Sequence, residues 1–376
     1  MSGNRDEGIP VTAMELMIFL NELYLRGGDI NLSYPFYNIH LMTLAQEGGG
    51  YVIKRPVDRQ SFTSARKAHM PRGEFFEGDL PIFNDLREAY VVSGLIPYPN
   101  LQEIYSQMVN FRMMEERSMK SVFFAPDTNT AYLRFFTRNF PARVDRAVLS
   151  MERFRFVVSD LVRWELDNMV KQKYSGQHIR KMSDRLSKPH LVQGFINAST
   201  RRSRRAKDAL VELHSLRRRY GSVKAVAGEG EVDKEDRDIS IAESYSAFQK
   251  RENAYVVMVT ADKDMISHAM SRELDHLFIK YPPEYVPDRE PKDPWSVANM
   301  IYTIAVRMGA LSIENHGIDI VGEWYGKDMD AYNREMVMIR FNENSEARAE
   351  FTRDLRIAEK ISSVIGEVRT GGETYG

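Results

Sequence analysis

Cysteine is absent from the 376 residues, which excludes disulfides and any thiolate-held zinc or iron–sulfur centre. Long apolar runs are missing too. The best candidate, residues 14–25, is broken by Glu15, Asn21 and Glu22, too short and too polar to span a bilayer. The opening MSGNRDEG lacks the basic start of a signal peptide. A soluble, cytoplasmic chain without a membrane partner is the expectation. Net charge is nearly absent, with 52 Lys and Arg against 53 Asp and Glu. No GxxxxGK[ST] or GxGxxG phosphate loop follows a predicted strand, and no GxSxG nucleophile motif occurs. The eight histidines show no motif spacing.

What is present suits a folded protein of two or three domains, with 43% hydrophobic residues. Residues 10–26 read as a helix and 31–46 as another helical piece. Glycines 48–50 then lead into a short strand-like YVIKRP. Prolines at 71, 81, 97 and 99 punctuate a weak stretch, and 101–120 carries apolar residues at helical spacing. Residues 1–119 are therefore expected to form an additional, mainly helical N-terminal domain.

Beyond residue 120 the pattern changes. VFFA at 122, FRFVVS at 154, YVVMV at 255 and GIDIVG at 317 read as buried strands. Helical stretches at 160–172, 200–219, 240–252, 264–274 and 295–309 lie between them. Such alternation predicts an α/β fold, a central parallel sheet flanked by helices, over 120–343. A last strand is expected at 334 and a charged helix within a C-terminal segment, 344–376.

Charge is unevenly placed. Residues 171–224 hold fifteen Lys and Arg against three acids, inside a basic helical insertion spanning about 171–235. Arg201, Arg202, Arg204, Arg205, Lys207, Arg217, Arg218 and Arg219 form its centre. A solvated helix face is the bland reading of such a run. Its density, with no acidic block near it in sequence, favours a polyanion such as nucleic acid.

The acids are informative by position. Ligands of open α/β sheets sit beyond the carboxyl ends of the strands. There the chain places PDTN (Asp127, Thr128, Asn129) after VFFA and TADKD (Thr260, Asp262, Asp264) after YVVMV. Glu165 falls on an apolar stripe with Leu161, Trp164 and Met169 in the helix after FRFVVS. Asp236 or Asp238 begins the helix before the TADKD strand. Singly, each acid is a turn former, an ion-pair partner or a helix cap. Jointly, four acids at one sheet edge repel one another, and hard divalent cations, Mg²⁺ or Mn²⁺, are the usual remedy.

FFAPDTNTAYL, SDLVRWELDNM, DRDISIA and VMVTADKDM, taken in order, resemble the four acidic motifs of the PIN-domain nuclease family, across residues 122 to 326. The resemblance implies a PIN-like fold and metal-dependent phosphodiester hydrolysis, an endoribonuclease acting on single-stranded RNA. It makes Asp127, Glu165, Asp262 and one of Asp236 and Asp238 the metal ligands, with Asp264 a further ligand or supporting group. Thr128, Asn129 and Thr260 are expected to orient those acids or touch phosphate.

Two other readings stay open: a non-catalytic RNA-binding scaffold with a PIN-like fold, and a structure-specific DNA nuclease. A basic stripe reads phosphates rather than sugars, so DNA is not excluded as the partner. The N-terminal domain leaves room for a protein partner or a homo-oligomer. Asn129 breaks the DxD of haloacid-dehalogenase phosphatases, and Asn129 with Ala131 breaks the DxSxS of von Willebrand A-type metal sites.

Overall fold

In the computed structural model, residues 8–26, 28–69, 80–139, 154–192, 199–226, 237–283, 287, 289–341 and 348–358 are described. Four strands come first: β1 (Ile9–Thr12), β2 (Ile30–Tyr34), β3 (Ile39–Glu47) and β4 (Gly50–Lys54). The middle of the chain supplies β5 (Val122–Pro126), β6 (Arg155–Ser159), β7 (Val223–Ala225), β8 (Tyr255–Thr260) and β9 (Asp275–Phe278). Three more follow: β10 (Ala310–Ile313), β11 (Ile318–Val321) and β12 (Met336–Phe341).

β5 to β9 form a five-stranded sheet in the order β7-β6-β5-β8-β9, and every pairing in it is parallel. The near-continuous apolar runs follow from burial on both faces. Along β8, Val256 and Met258 enter one hydrophobic cluster and Val257 and Val259 the opposite one, as the two-residue strand period requires. Helices Asp160–Val170, Arg201–Tyr220 and Arg237–Arg251 contribute to the first cluster. Helix Leu101–Ser118 contributes Ile104 and Met108 to the second. Strand order reverses at β5, whose neighbours are β6 and β8, and a ligand crevice belongs at such a switch point.

The remaining strands make a seven-stranded antiparallel sheet, β1-β12-β11-β10-β2-β3-β4. Against it lies helix Pro294–Met308, in which every residue from Ser296 to Met308 is buried. Pro294 opens this helix and Asp293 caps it through the Ser296 amide at 2.8 Å. At the end of β11, Gly322 passes so close to the helix that an added Cβ would stand 2.0 Å from the Ala305 carbonyl oxygen. No described helix is long and apolar enough to cross a membrane.

Several expectations change here. Residues 31–46 are not helical: they make β2 and β3 with the turn between them. GIDIVG at 317 is a strand, but β11 belongs to the antiparallel sheet. Residues 1–119 mix helices with four strands, and their sheet is completed by β10, β11 and β12 from the other end of the chain. Residues 348–358 are helical, and the rest of the span expected for the charged C-terminal helix lies outside the described residues.

The two sheets are joined through buried charge. Asp208, on helix Arg201–Tyr220, pairs with Arg134 at 2.9 Å and Arg307 at 3.0 Å. Arg134 also reaches Glu335 at 2.7 Å, just before β12, and Arg307 reaches Glu88 at 3.0 Å. Glu212, fully buried, accepts from the Phe136 amide at 2.7 Å.

Part of the basic run is taken up by partners within the fold. Arg204 is 1% exposed and donates to the carbonyls of Val306, Ser199 and Arg307. Arg201 pairs with Asp85 at 2.6 Å, Arg205 with Glu88 at 3.1 Å and Lys207 with Glu323 at 3.6 Å. Arg202, Arg217, Arg218 and Arg219 remain exposed. The acids that answer the run are distant in sequence, so the local charge count could not find them.

Candidate active site

Asp127 follows β5 and Asp262 follows β8, the adjacent central strands. Each caps the short helix after it: Asp127 accepts from the Thr130 amide at 2.6 Å, and Asp262 from the Asp264 amide at 2.9 Å. Capping alone would be served by Ser or Asn. Asp127, however, is 1% exposed. Burial, only partly offset by donors from Thr260 and Thr130, pushes its carboxyl up to about 6, with Asp262 adding repulsion.

Thr260 joins the two acids. Its hydroxyl donates to Asp127 Oδ2 at 2.6 Å and accepts from the Asp262 amide at 2.9 Å. The hydroxyl is fully buried at the end of β8, so the threonine is part of the site and not only a strand terminus. Asn129 donates to Asp262 Oδ2 at 3.2 Å, and Thr128 donates to Glu165 Oε2 at 2.7 Å. All three expected orienting residues therefore touch one of the acids.

Thr260→Val is expected to destabilise the protein by about 1–3 kcal/mol, the usual penalty for orphaning a buried polar group. Because the lost bond favours the ionised form, the Asp127 carboxyl should titrate higher still. Carboxyl-resolved NMR titration checks this, and an unmoved or lowered midpoint would contradict the geometry.

Glu165 sits on helix Asp160–Val170, whose buried positions are Val162 and Leu166. Leu161 and Met169 of the stripe pack partly buried against the same cluster, whereas Trp164 is 47% exposed with Arg237 over its ring at 5.0 Å. Glu165 faces Thr128 instead of a cation. Asp238 lies in the first turn of helix Arg237–Arg251. It keeps much of its surface in water, yet the protein crowding it, then Asp262 and Asp264, push its carboxyl up, with His268 opposing. Asp236 lies outside the described residues.

No described basic side chain forms an ion pair with Asp127, Glu165, Asp238, Asp262 or Asp264. Elsewhere the protein does the opposite: buried Asp208, Glu323 and Asp85 each meet a cation. Convergence is looser than the sequence implies. Among the described residues, no three His, Asp or Glu side chains come together closely enough to hold a metal ion.

Beside Asp262 opens a cavity of about 920 Å³. Asn129 and Asp262 form part of its wall, with Arg205, Lys263 and Lys280 around them. Sequence reading named Arg205 but missed Lys263 and Lys280. Lys263 was visible between the two aspartates of TADKD, while Lys280 follows β9, a four-residue strand without a long apolar run. The chain matches no protein-family model and no curated protein.

Proposed function

We propose that the chain is a metal-dependent nuclease of PIN-like architecture, an endoribonuclease acting on single-stranded RNA at the carboxyl edge of the five-stranded sheet. One observation carries the reading: Asp127 and Asp262 end the two strands at the topological switch point, coupled through Thr260 and, among the described residues, without a cationic partner. Buried Asp208, Glu323 and Asp85 are each answered by a cation, whereas Asp127 and Asp262 repel one another with none beside them among the described residues, which favours a bound cation.

The donor chemistry fits Mg²⁺ or Mn²⁺, since every candidate ligand is a carboxylate oxygen. Asp127 and Asp262 would hold the ion. Glu165 and Asp238 would act directly or through water, and Asp264 adds to the negative charge around Asp238 with Asp262. When bound, such an ion supplies an acidified water and stabilises charge on the leaving oxygen. The chain's own groups do the positioning. Thr130 and Thr260 fix both oxygens of Asp127. Asn129 fixes one oxygen of Asp262 and Thr128 one of Glu165. Exposed Arg202, Arg217, Arg218 and Arg219 extend a positive field along the insertion helix for RNA phosphates.

The test is cleavage of labelled single-stranded RNA and matching DNA with Mn²⁺, Mg²⁺ or EDTA, wild type beside Asp262→Asn. Metal-dependent cutting of RNA that falls at least about a hundredfold in the variant is expected, the scale of a lost charge-stabilising group. Cutting that persists in EDTA or in Asp262→Asn would rule the site out. Preference for DNA would move the reading to a DNA nuclease.

A further inference from the structure

The cavity beside Asp262 has a composition of its own. Its cations come from three separate elements: Arg205 from the basic insertion helix, Lys263 from the start of helix Lys263–Ser271, and Lys280 from just beyond β9. Lys263 is exposed, and among the described residues Lys280 has a distant partner, Glu103 at 3.8 Å. Arg205 is held in place: its guanidinium lies over the Tyr132 ring at 4.5 Å and pairs with Glu88, while its buried Nε has no hydrogen-bond partner. Glu88, which also lines the cavity, is shared between Arg205 and Arg307, so the cavity's remaining positive charge rests mainly on Lys263 and Lys280. Leu133 and Phe278 give the cavity an apolar side.

We propose that this cavity seats one unpaired nucleotide next to the scissile phosphate, with its base against Leu133 and Phe278 and its phosphate among Lys263, Lys280 and Arg205. The inference rests on the nuclease reading for the identity of the neighbouring bond. Chemistry and size select the ligand. An anion alone would not need the apolar side, and an apolar ligand would not need three cations. A volume of about 920 Å³ lies in the range of a small-molecule pocket, the scale of a nucleotide and not of a duplex segment. Selection for single strands would then come from the cavity and not from sequence-specific contacts.

The experiment measures binding of a fluorescent single-stranded RNA and its duplex to Asp262→Asn in EDTA, across a salt series. The same protein carrying Lys263→Ala and Lys280→Ala is compared with one carrying Arg217→Ala and Arg218→Ala. The latter pair lies twelve or more residues from Arg205 on the same helix, roughly 18 Å away at 1.5 Å per residue. The lysine pair should weaken single-strand binding at least about tenfold and flatten its logarithmic salt dependence by about 0.7, the loss of one neutralised phosphate. The arginine pair should change it less, and the duplex should bind more weakly than the single strand. Equal losses in the two pairs, or no loss in the lysine pair, overturn the cavity assignment. If wild type cleaves RNA while the lysine pair binds normally, this inference fails and the nuclease reading stands. If the lysines govern binding but wild type cuts nothing with any metal, the nuclease reading fails and the nucleotide site stands.

Discussion

Asp208→Asn is expected to lower the free energy of unfolding by about 3–5 kcal/mol, the range for breaking a buried ion pair by removing one partner. Asp208 is 1% exposed and answers two guanidiniums, Arg134 at 2.9 Å and Arg307 at 3.0 Å. Burial alone would push its carboxyl up, but Arg134 and Arg307 outweigh that and hold it below the usual range. Its stabilising charge is therefore present at neutral pH and is lost as acid protonates it. Asparagine keeps the shape, removes the charge and turns an amide toward a guanidinium. Arg134 and Arg307 retain Glu335 and Glu88, which places the loss within that range and not above it. Urea denaturation at pH 7 measures the effect. Arg217→Gln on the exposed end of the same helix is the comparison, expected within about 0.5 kcal/mol of wild type. A loss under about 1 kcal/mol for Asp208→Asn would mean that the network does not bind the two sheets together.

Asp127→Asn should act in the opposite direction on stability while abolishing cleavage. The carboxyl of Asp127 is raised from 3.8 to about 6, so the folded state holds its proton more tightly than the unfolded chain. Below about pH 4 both states are protonated and the residue costs nothing. As pH rises through 6 the folded protein must carry a buried charge, and the penalty becomes complete. A shift of about two pKa units corresponds to roughly 3 kcal/mol. In EDTA the variant should therefore be more stable than wild type by about that amount at pH 8 and by nearly nothing at pH 4. Asparagine can keep the bond from the Thr130 amide and offer its own amide to the Thr260 hydroxyl. Added Mg²⁺ or Mn²⁺ should raise the wild-type midpoint at pH 8 and leave the variant unmoved, by preferential binding to the folded form. A variant less stable than wild type at pH 8 would show that Asp127 is a cap and nothing more. Retained stability with lost cleavage is the trade-off expected where a site is strained for function.

How far the sequence could be read follows from local physics. β5, β6 and β8 are buried on both faces, so they stood out as apolar runs, and the acids after them were legible by position alone. β7 and β9 have three and four residues, too few to show a period. β3 is a strand that imitates a helix, because Leu41 through Ala45 are all buried and alternation disappears. Asp127, Thr260 and Asp262 meet because β5 and β8 are neighbours, a parallel pairing across more than 130 residues that no window could contain. The basic run was legible as dense, but its partners Asp85, Glu88 and Glu323 were not, since they lie far from it in sequence.

The antiparallel sheet has a consequence for how the chain is assembled. β2 pairs with β3 locally but needs β10 on its other side, and β1 needs β12. Between them runs the whole segment that builds the parallel sheet. During synthesis the strands before residue 55 emerge early and wait with an open edge until residues 310–341 arrive. Closing so large a loop is slow, and open edges invite pairing with other chains. The five-stranded sheet, complete by β9, has no such delay. The order of assembly therefore runs from the middle of the chain outward, and the interval before β10 appears is the protein's period of greatest exposure to aggregation.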